Sequence, residues 1–175
     1  KNMKTSFITD KLISFFIGWQ YLSIQSKNIY VFHDSLLPSY SGFSPTVSAL
    51  IQGDKKIGIS LFIPNNNIDS GKIIFQKKIN LNYQIKINEV YNLIVIEIFN
   101  TIKNVVSNKK IIFKKNSLKR TYSIWRDQND YFIDWNKSSK YIKRFIDSLG
   151  YPYDCAKAKY NGKIINIIDS HVVNK

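Results

Sequence analysis

The imidazole of His33 is the side chain in this sequence whose type and position best suit acid–base chemistry. It follows an apolar run at 29–32 and precedes a loop that contains Pro38 and Gly42. Open α/β sheets bind their ligands at the carboxyl ends of strands, which is where such a histidine would lie. There an imidazole can move a proton or stabilise a developing negative charge. Position alone is equally compatible with a structural role, and His171, in a polar segment, has no comparable setting.

Asp69 is the candidate carboxylate. It precedes Ser70-Gly71 in a polar loop, where aspartate also favours a tight turn. A carboxylate beside an imidazole sets which ring nitrogen carries the proton, and it can help to deprotonate an attacking amine. Without a motif that links it to His33, the turn is the simpler interpretation of Asp69.

Strands and helices are predicted to alternate along the chain. Apolar runs rich in β-branched and aromatic residues predict strands at 14–19, 29–32, 56–63, 72–79 and 163–168, the first of them buried. Apolar residues at helical spacing predict helices at 44–53, 88–107 and 136–149. In the first helix, Ser44 is predicted to be the N-cap, Pro45 the first residue and Gly53 the end. This alternation favours an α/β fold.

The composition is that of a globular chain with a positive charge. Of its 175 residues, 44% are hydrophobic and 22% charged, so a core can form and global disorder is not expected. Lysine and arginine outnumber aspartate and glutamate 26 to 12, and the net charge of +14 suggests an anionic partner. However, 23 of these 26 cations are lysine, and isoleucine and asparagine are also abundant. That pattern indicates AT-rich coding more than a nucleic-acid surface, which would favour arginine.

Cysteine content and hydropathy indicate the compartment. Cys155 is the only cysteine, which excludes an internal disulfide framework and a cysteine-rich zinc site. No apolar run approaches the ~18 to 20 residues of a membrane span, and no signal-peptide pattern is present. We therefore expect a cytoplasmic protein with no membrane partner and no metal.

Several motifs in order resemble the folate-dependent formyltransferases. Residues 33–45, His-Asp-Ser-Leu-Leu-Pro-Ser-Tyr-Ser-Gly-Phe-Ser-Pro, are close to the family pattern His-x-Ser-Leu-Leu-Pro-x-Tyr-Arg-Gly-x-x-Pro. Gly53, Gly58 and the Ile-Asp-Ser-Gly-Lys-Ile segment at 68–73 match the glycine-bearing strand and the Asp-x-Gly-x-Ile turn of the family. Segments similar to the C-terminal region of methionyl-tRNA and sugar-nucleotide formyltransferases are Trp-Arg-Asp at 125–127, Ile-Asp-Trp at 133–135 and Tyr-Pro-Tyr at 151–153.

The resemblance implies a fold, a reaction and a site. The fold would be a partial doubly wound, Rossmann-like α/β domain with a small C-terminal α+β lobe, and the reaction transfer of a formyl group from 10-formyltetrahydrofolate to an amine. His33 and Asp69 would be catalytic, with the imidazole stabilising the formyl oxygen or moving a proton. The supporting loop would comprise Asp34, Ser35, Leu36, Leu37, Pro38 and Gly42. The folate would bind beside Gly18, Trp19, Tyr21, Asn65, Asn66, Asn67 and Ile68, although Trp19 and Tyr21 are equally compatible with ordinary core aromatics.

Two positions depart from the family pattern. Val31 stands where the family has an asparagine that donates to the oxyanion, and loss of one such donor costs a factor of ~10²–10³ in rate. Asp34 and Ser35 are the candidate replacements. Ser41 stands where the family has an arginine near the substrate, which puts acceptor binding in question. A catalytically impaired folate-binding remnant is therefore an alternative to an active enzyme.

The resemblance also divides the chain. Residues 1–108 would be the C-terminal half of the catalytic domain, 109–120 a basic linker, and 121–175 the start of the C-terminal lobe. Family members place further strands before the one predicted at 14–19, so the first strands of the sheet are expected to be missing. The exposed sheet edge would then lower stability or favour association, for example as a homodimer.

Two acceptors are candidates. The Trp-Arg-Asp and Ile-Asp-Trp motifs are most similar to the sugar-nucleotide enzymes, so a nucleotide-linked amino sugar is the first hypothesis, with Arg126 as a candidate diphosphate contact. Methionyl-tRNA is the second. Its RNA contacts would be the basic pairs at 109–110, 114–115 and 119–120, for which a solvated surface is the simpler interpretation.

Overall fold

The computed structural model describes residues 14–18, 29–107 and 119–173. Its strands are β1 Ser14–Ile17, β2 Ile29–His33, β3 Ser41–Gly42, β4 Lys56–Pro64, β5 Gly71–Asn80, β6 Tyr122–Ser123, β7 Ala156–Tyr160 and β8 Lys163–Ile167. Its helices are α1 Pro45–Gln52, α2 Ile87–Ser107 and α3 Ser139–Ser148, with a short 3-10 helix at Gln128–Tyr131. The five predicted strands and three predicted helices are confirmed, with ends that differ by a few residues. The sequence did not predict β3, β6 and β7.

Four strands form one mixed sheet in the order β1-β2-β4-β5. β1 and β2 are parallel, whereas β2, β4 and β5 are antiparallel to their neighbours. The register places His33, the last residue of β2, opposite Ser60 in the middle of β4. α2 packs against β4 and β5. A sheet covered by helices that alternate with its strands confirms the predicted α/β fold class.

The prediction that the first strand is buried is wrong. Val31 and Phe32 of β2 are each 1% exposed, but Ile17 of β1 is 61% exposed and the rest of β1 is half-buried. The reason is its place in the sheet, because β1 lies at the edge opposite to the strands that α2 covers. Phe15 of β1 still stacks on Phe32. Trp19 lies outside the described residues.

A proline and a glycine set the ends of α1. Pro45 opens the helix, and Gly53 ends it in the left-handed conformation with φ 83°. Ser44 is the N-cap residue, as predicted, but its own backbone is left-handed and its hydroxyl makes no capping bond. A capping serine needs an extended backbone to reach the free amides of the first turn. The Ser44 carbonyl instead accepts a hydrogen bond from the Ser48 amide.

One hydrophobic core joins the sheet, the helices and the last third of the chain. α2 contributes Val90, Ile94 and Ile98, which are spaced as the helical period requires. Members of the same core from the last third are Tyr131, Ile133, Phe145, Ile146, Leu149 and Ala156. The predicted lobe at 121–175 thus shares its core with the sheet, and the predicted division at 109–120 stays a prediction.

α2 is the longest helix, and its outer face exposes apolar side chains, among them Ile96 and Phe99. Neither α2 nor any other helix in the described part of the chain combines the length and apolarity that crossing a bilayer requires.

Candidate active site

His33 is held at the end of β2 by a backbone partner. The ring is 4% exposed, and its Nε2 lies 2.9 Å from the carbonyl oxygen of Tyr40. Since a carbonyl oxygen only accepts hydrogen bonds, Nε2 carries a proton and donates it. The neutral ring therefore has its lone pair on Nδ1, which makes Nδ1 the nitrogen that can take a proton.

Asp69 faces that second nitrogen. Its Oδ1 lies 3.6 Å from Nδ1 of His33, and its Oδ2 accepts a 2.6 Å hydrogen bond from the amide of Gly42. The distance of 3.6 Å exceeds that of a hydrogen bond, so the two groups form an ion pair only when the ring is protonated, and Nδ1 and Oδ1 remain available to bond other partners. Asp69 is 8% exposed and its backbone is left-handed, with φ 45°. The structure thus brings the two predicted catalytic residues together.

Ser60 and Gln76 fix the loop after His33 to the sheet. The Ser60 hydroxyl donates to the carbonyl of Ser35 at 2.6 Å and accepts from the amide of Leu37 at 2.9 Å. Gln76 on β5 donates both to that hydroxyl and to the Leu37 carbonyl. Sequence reasoning missed both residues. The available signal was Ser60 itself, a serine inside an otherwise apolar strand.

The rest of the supporting loop packs closely around the same strands. The side chain of Leu36 lies over Gly58, where a Cβ atom would come within 2.6 Å of it. The Pro38 carbonyl accepts from the amide of Thr121. Gly42 adopts φ 105°, and a Cβ there would lie 2.5 Å from the Ser123 carbonyl oxygen. Only glycine therefore lets the amide that binds Asp69 sit in this place.

Tyr40 anchors the carbonyl that holds the imidazole. Its hydroxyl donates to Oδ2 of Asp54 at 2.8 Å, and its amide donates to the hydroxyl of Thr121. Burial raises the pKa of Tyr40 above its ordinary value, and the bond to Asp54 adds to that effect. Burial likewise raises the pKa of Tyr83, whose hydroxyl donates to the Asp54 carbonyl, to about 12. Both phenols are therefore neutral hydrogen-bonding groups at physiological pH.

A segment that is distant in sequence, residues 120–123, packs beside the loop that follows His33. β6 pairs in parallel with β3, which aligns Tyr122 with Ser41 and Ser123 with Gly42. Just before β6, Nη1 of Arg120 donates to Oγ of Ser41 at 3.0 Å and to the Asp69 carbonyl at 3.3 Å. Sequence reasoning placed Arg120 in a basic linker and missed this contact, because 79 residues separate it from Ser41. The basic pairs at 109–110 and 114–115 lie outside the described residues.

The two candidate replacements for the oxyanion asparagine already have partners. The Ser35 hydroxyl donates to the Ser39 carbonyl at 2.6 Å. The Asp34 carboxylate accepts from the Thr46 hydroxyl at 2.6 Å. Neither side chain is therefore a free donor, and the apolar Val31, at 1% exposure, offers none.

The predicted folate-binding residues fall into two groups. Gly18 ends β1 in the left-handed conformation, with φ 69°, and the neighbouring Trp19 and Tyr21 lie outside the described residues. The loop 65–68 is exposed and leads directly into Asp69. Within it, Asn65 accepts from the Asn67 amide and donates to Ser70, so its shape is fixed by its own side chains. In residues 14–18, 29–107 and 119–173, no cluster of three or more His, Cys, Asp or Glu could hold a metal ion.

Comparison with known proteins identifies the family. The family model described as "Formyl transferase" matches residues 13–96, and that described as "Formyl transferase, C-terminal domain" matches residues 126–175. This chain belongs to the formyltransferase family. The predicted resemblance is thereby confirmed, and His33 and Asp69 both lie within the first matched segment.

The similar proteins are named either as methionyl-tRNA formyltransferases or as sugar N-formyltransferases. Methionyl-tRNA formyltransferase of Clostridium novyi is 28% identical over 179 residues, which cover 100% of this chain and 58% of that protein. The solved structure of methionyl-tRNA formyltransferase from Clostridium thermocellum is 27% identical, with a TM-score of 0.67 over 78% of this chain and 66% of that one. A sugar N-formyltransferase from a Shewanella species has a TM-score of 0.68 over 84% of this chain and 63% of that one.

The level of identity and the length covered limit what each similarity supports. At 19% identity, the Shewanella structure supports the fold alone. The chain spans little more than half the length of the curated relatives it matches, with 58%, 53% and 51% of three of them covered.

Proposed function

We propose that this chain contributes the catalytic residues of an enzyme that moves a formyl group from 10-formyltetrahydrofolate to an amine. The observation that carries the proposal is the arrangement of His33 and Asp69. Their facing atoms are 3.6 Å apart, and each residue is fixed from behind by a backbone group, the Tyr40 carbonyl or the Gly42 amide. This holds both side chains in place and leaves one atom of each for the substrates.

The reaction requires a proton to move from the acceptor to the folate. The amine nitrogen attacks the formyl carbon, negative charge develops on the formyl oxygen, and the bond from the carbon to N10 of the folate then breaks. His33 would accept the amine proton at Nδ1 and return it to the leaving nitrogen. In its protonated form the ring donates from Nδ1, which can stabilise the formyl oxygen.

Asp69 would stabilise the charged form of the ring and orient the amine. A carboxylate 3.6 Å from a buried imidazolium attracts it more strongly than it would in water, because the surroundings screen little. Its Oδ1 can also accept a hydrogen bond from the incoming amine, since the Gly42 amide occupies only Oδ2.

The folate would bind along the loop 65–68 and the end of β1. The loop is exposed and leads into Asp69, so a pterin ring bound there would place the formyl group near the catalytic pair. Backbone groups of such loops commonly bind heterocycles through hydrogen bonds. Gly18, Trp19 and Tyr21 are the proposed partners at the other side of the ring.

The absence of an asparagine at position 31 predicts slow turnover. Val31 has no donor, and both candidate replacements are engaged elsewhere. Removal of one oxyanion donor lowers the rate by a factor of ~10²–10³, so we expect a low kcat compared with family members that have the asparagine.

Each acceptor is supported by a different observation. The curated relatives that match all or most of the chain are named methionyl-tRNA formyltransferase, which favours the amino group of methionyl-tRNA. The sequence motifs Trp-Arg-Asp and Ile-Asp-Trp favour a nucleotide-linked amino sugar. Arg126 is half-buried and its guanidinium donates to Ser48, which leaves further donors for a diphosphate.

Release of tetrahydrofolate tests the reaction and the acceptor together. The full chain is incubated with 10-formyltetrahydrofolate and, separately, with methionyl-tRNA, with a panel of amino-sugar nucleotides, or with no acceptor. Release that depends on one acceptor class supports the proposal and identifies the acceptor. Folate binding without release from any acceptor would replace the proposal with the impaired remnant, and the absence of binding and release would overturn it.

A further inference from the structure

Arg120 is the cationic side chain that approaches the catalytic pair from outside the sheet. It lies just before β6, and Nη1 of its guanidinium is within 3.0 Å of the Ser41 hydroxyl, 3.3 Å of the Asp69 carbonyl and 3.5 Å of the Ile68 carbonyl. These three oxygen atoms belong to two separate loops. One loop carries the amide that binds Asp69, and the other carries Asp69 itself.

The turn that carries Asp69 needs external support. Asp69 has φ 45°, a left-handed conformation that residues with a Cβ atom adopt less readily than glycine does. The side chain leaves this turn to reach the Gly42 amide and His33, so any relaxation of the backbone would move the carboxylate. Arg120 donates to the carbonyls of the two residues at the centre of the turn, Ile68 and Asp69.

The same guanidinium holds the opposite loop. Ser41 is fully buried, and its hydroxyl accepts from Arg120 while it donates to the Pro38 carbonyl. The next residue, Gly42, donates to Oδ2 of Asp69. Arg120 therefore ties together the turn from which the carboxylate comes and the backbone to which it binds.

Arg120 makes none of its contacts to the carboxylate oxygens of Asp69. Its three acceptors are one hydroxyl oxygen and two backbone carbonyl oxygens. The guanidinium therefore does not compete with His33 for Oδ1 of Asp69. We propose that Arg120 is a positioning residue that keeps the Asp69 carboxylate at its distance from the His33 imidazole. This role rests on the proposed formyl transfer, because it is the catalytic pair that Arg120 aligns.

The first test separates positioning from stability. A displacement of about 1 Å in a catalytic group can cost a factor of ~10² in rate. We therefore expect Arg120→Ala to lower kcat by about 10- to 100-fold with the KM for 10-formyltetrahydrofolate changed less than about 2-fold. Arg120→Lys should recover part of the loss. Arg144→Ala is the matched control, because Arg144 also donates to a backbone carbonyl, that of Ile51, and not to either of the two loops that hold the pair.

A double-mutant cycle tests whether Arg120 acts through Asp69. If it does, Arg120→Ala should have little further effect in an Asp69→Asn background, since the carboxylate it positions is already lost. Losses that multiply would overturn the proposal and assign Arg120 an independent role, such as contact with the acceptor. An unchanged kcat in Arg120→Ala would also overturn it.

NMR of the His33 ring tests the positioning role even if the chain transfers no formyl group. The chain has two histidines, so His171→Gln assigns the ring resonances of His33 by NMR. Arg120→Ala should shift the His33 resonances, and Arg144→Ala should leave them in place. Unshifted resonances in Arg120→Ala would refute the positioning role, whereas shifted resonances without any transfer would refute the proposed reaction alone.

Discussion

Two buried pairs of a basic side chain and a carboxylate are built in opposite ways. Lys143 and Asp147 lie one turn apart on α3, and their charged atoms are in direct contact at 2.5 Å. His33 and Asp69 come from distant parts of the chain, and their Nδ1 and Oδ1 atoms are 3.6 Å apart. The side chains of the two pairs are similarly buried. The members of the first pair bond each other, and Lys143 also reaches Asp169 at 3.5 Å, whereas each member of the second is bonded to a backbone group of residues 40–42.

The difference indicates which pair is available for chemistry. Burial raises the pKa of Asp147, and contact with Lys143 only partly offsets that cost, so this pair depends on staying closed. In the other pair, Nδ1 and Oδ1 face each other with no hydrogen bond between them. A substrate amine can donate to these atoms, and a formyl oxygen can accept from Nδ1 once the ring is protonated, without breaking an existing contact of the protein.

Removal of the imidazole is expected to have the largest effect. In His33→Ala no group remains to move the proton or stabilise the formyl oxygen, so transfer should fall by about 10³-fold or more. The melting temperature should change little, because Ser60 and Gln76 still hold the loop. His171→Ala, which alters the other histidine, is the control and should keep full activity. Retained transfer in His33→Ala, measured by tetrahydrofolate release, would remove this pair from the mechanism.

Gly42→Ala should displace Asp69 from His33, because the backbone amide that binds Asp69 has to move. The new Cβ would lie 2.5 Å from the Ser123 carbonyl oxygen, so β3 and β6 must separate and the Gly42 amide must leave Asp69. We expect kcat to fall by about 10²-fold, together with a lower melting temperature. Gly162→Ala tests the cost of the backbone conformation alone, because Gly162 also has a positive φ, 74°, but open space around it. Equal kinetics in the two variants would mean that the close approach of β6 is irrelevant to catalysis.

Lys143→Met should break the other pair and leave catalysis intact. Removal of one partner leaves the Asp147 charge buried and uncompensated, and the free energy of unfolding should fall by about 3 kcal/mol. The transfer rate per folded molecule should be unchanged. Lys137→Met is the control, because Lys137 and Asp134 form an exposed pair at 3.8 Å that contributes less than about 1 kcal/mol. Denaturant unfolding measures both, and similar losses would show that burial does not distinguish these pairs.

The sequence predicted the elements and the candidate pair that the structure brings together, because both leave local patterns. Apolar runs located β2 and β4, and the residue types and motifs around 33–45 and 68–73 pointed to His33 and Asp69. β7, with the sequence Ala-Lys-Ala-Lys-Tyr, was missed although the alternation that indicates a half-buried strand is present. The position of Ser44 as N-cap was predicted, but the absence of its side-chain bond was not, because that bond depends on a backbone conformation that residue type does not reveal.

The contacts that hold the pair in place could not be predicted. β3 and β6 have two residues each, too few for any periodic signal, and they pair across about 80 residues of sequence. Arg120 lies in a segment whose lysines are explained by composition, so its own charge carried no distinguishing signal. Exposure of β1 depends on which strands the helices cover, a tertiary property that an apolar run does not encode.

The smallest expected effect concerns the exposed end of the ion cluster that Lys143 forms with Asp147, Asp169 and Lys86. Asp169 accepts a 2.9 Å hydrogen bond from Lys86, and this bond holds the pKa of Asp169 well below its ordinary value. In the window between the ordinary value near ~3.9 and the lower folded value, the unfolded chain binds a proton that the folded chain does not. The stabilising contribution is therefore complete above about pH 5 and is lost as the pH falls through this window.

Asp169→Asn should remove that pH dependence. The variant should melt slightly below the wild type at pH 6, and the difference should shrink as the pH falls toward 3, because the unfolded wild-type chain then takes up a proton that the folded chain does not. Asp134→Asn, which alters the exposed pair with Lys137, is the control. Both side chains of the Lys86–Asp169 pair are nearly half exposed, so salt near 1 M should reduce the difference at pH 6. A difference between the variant and the wild type that is constant from pH 3 to pH 6 would mean that the charge of Asp169 contributes nothing, and that this end of the cluster acts through packing alone.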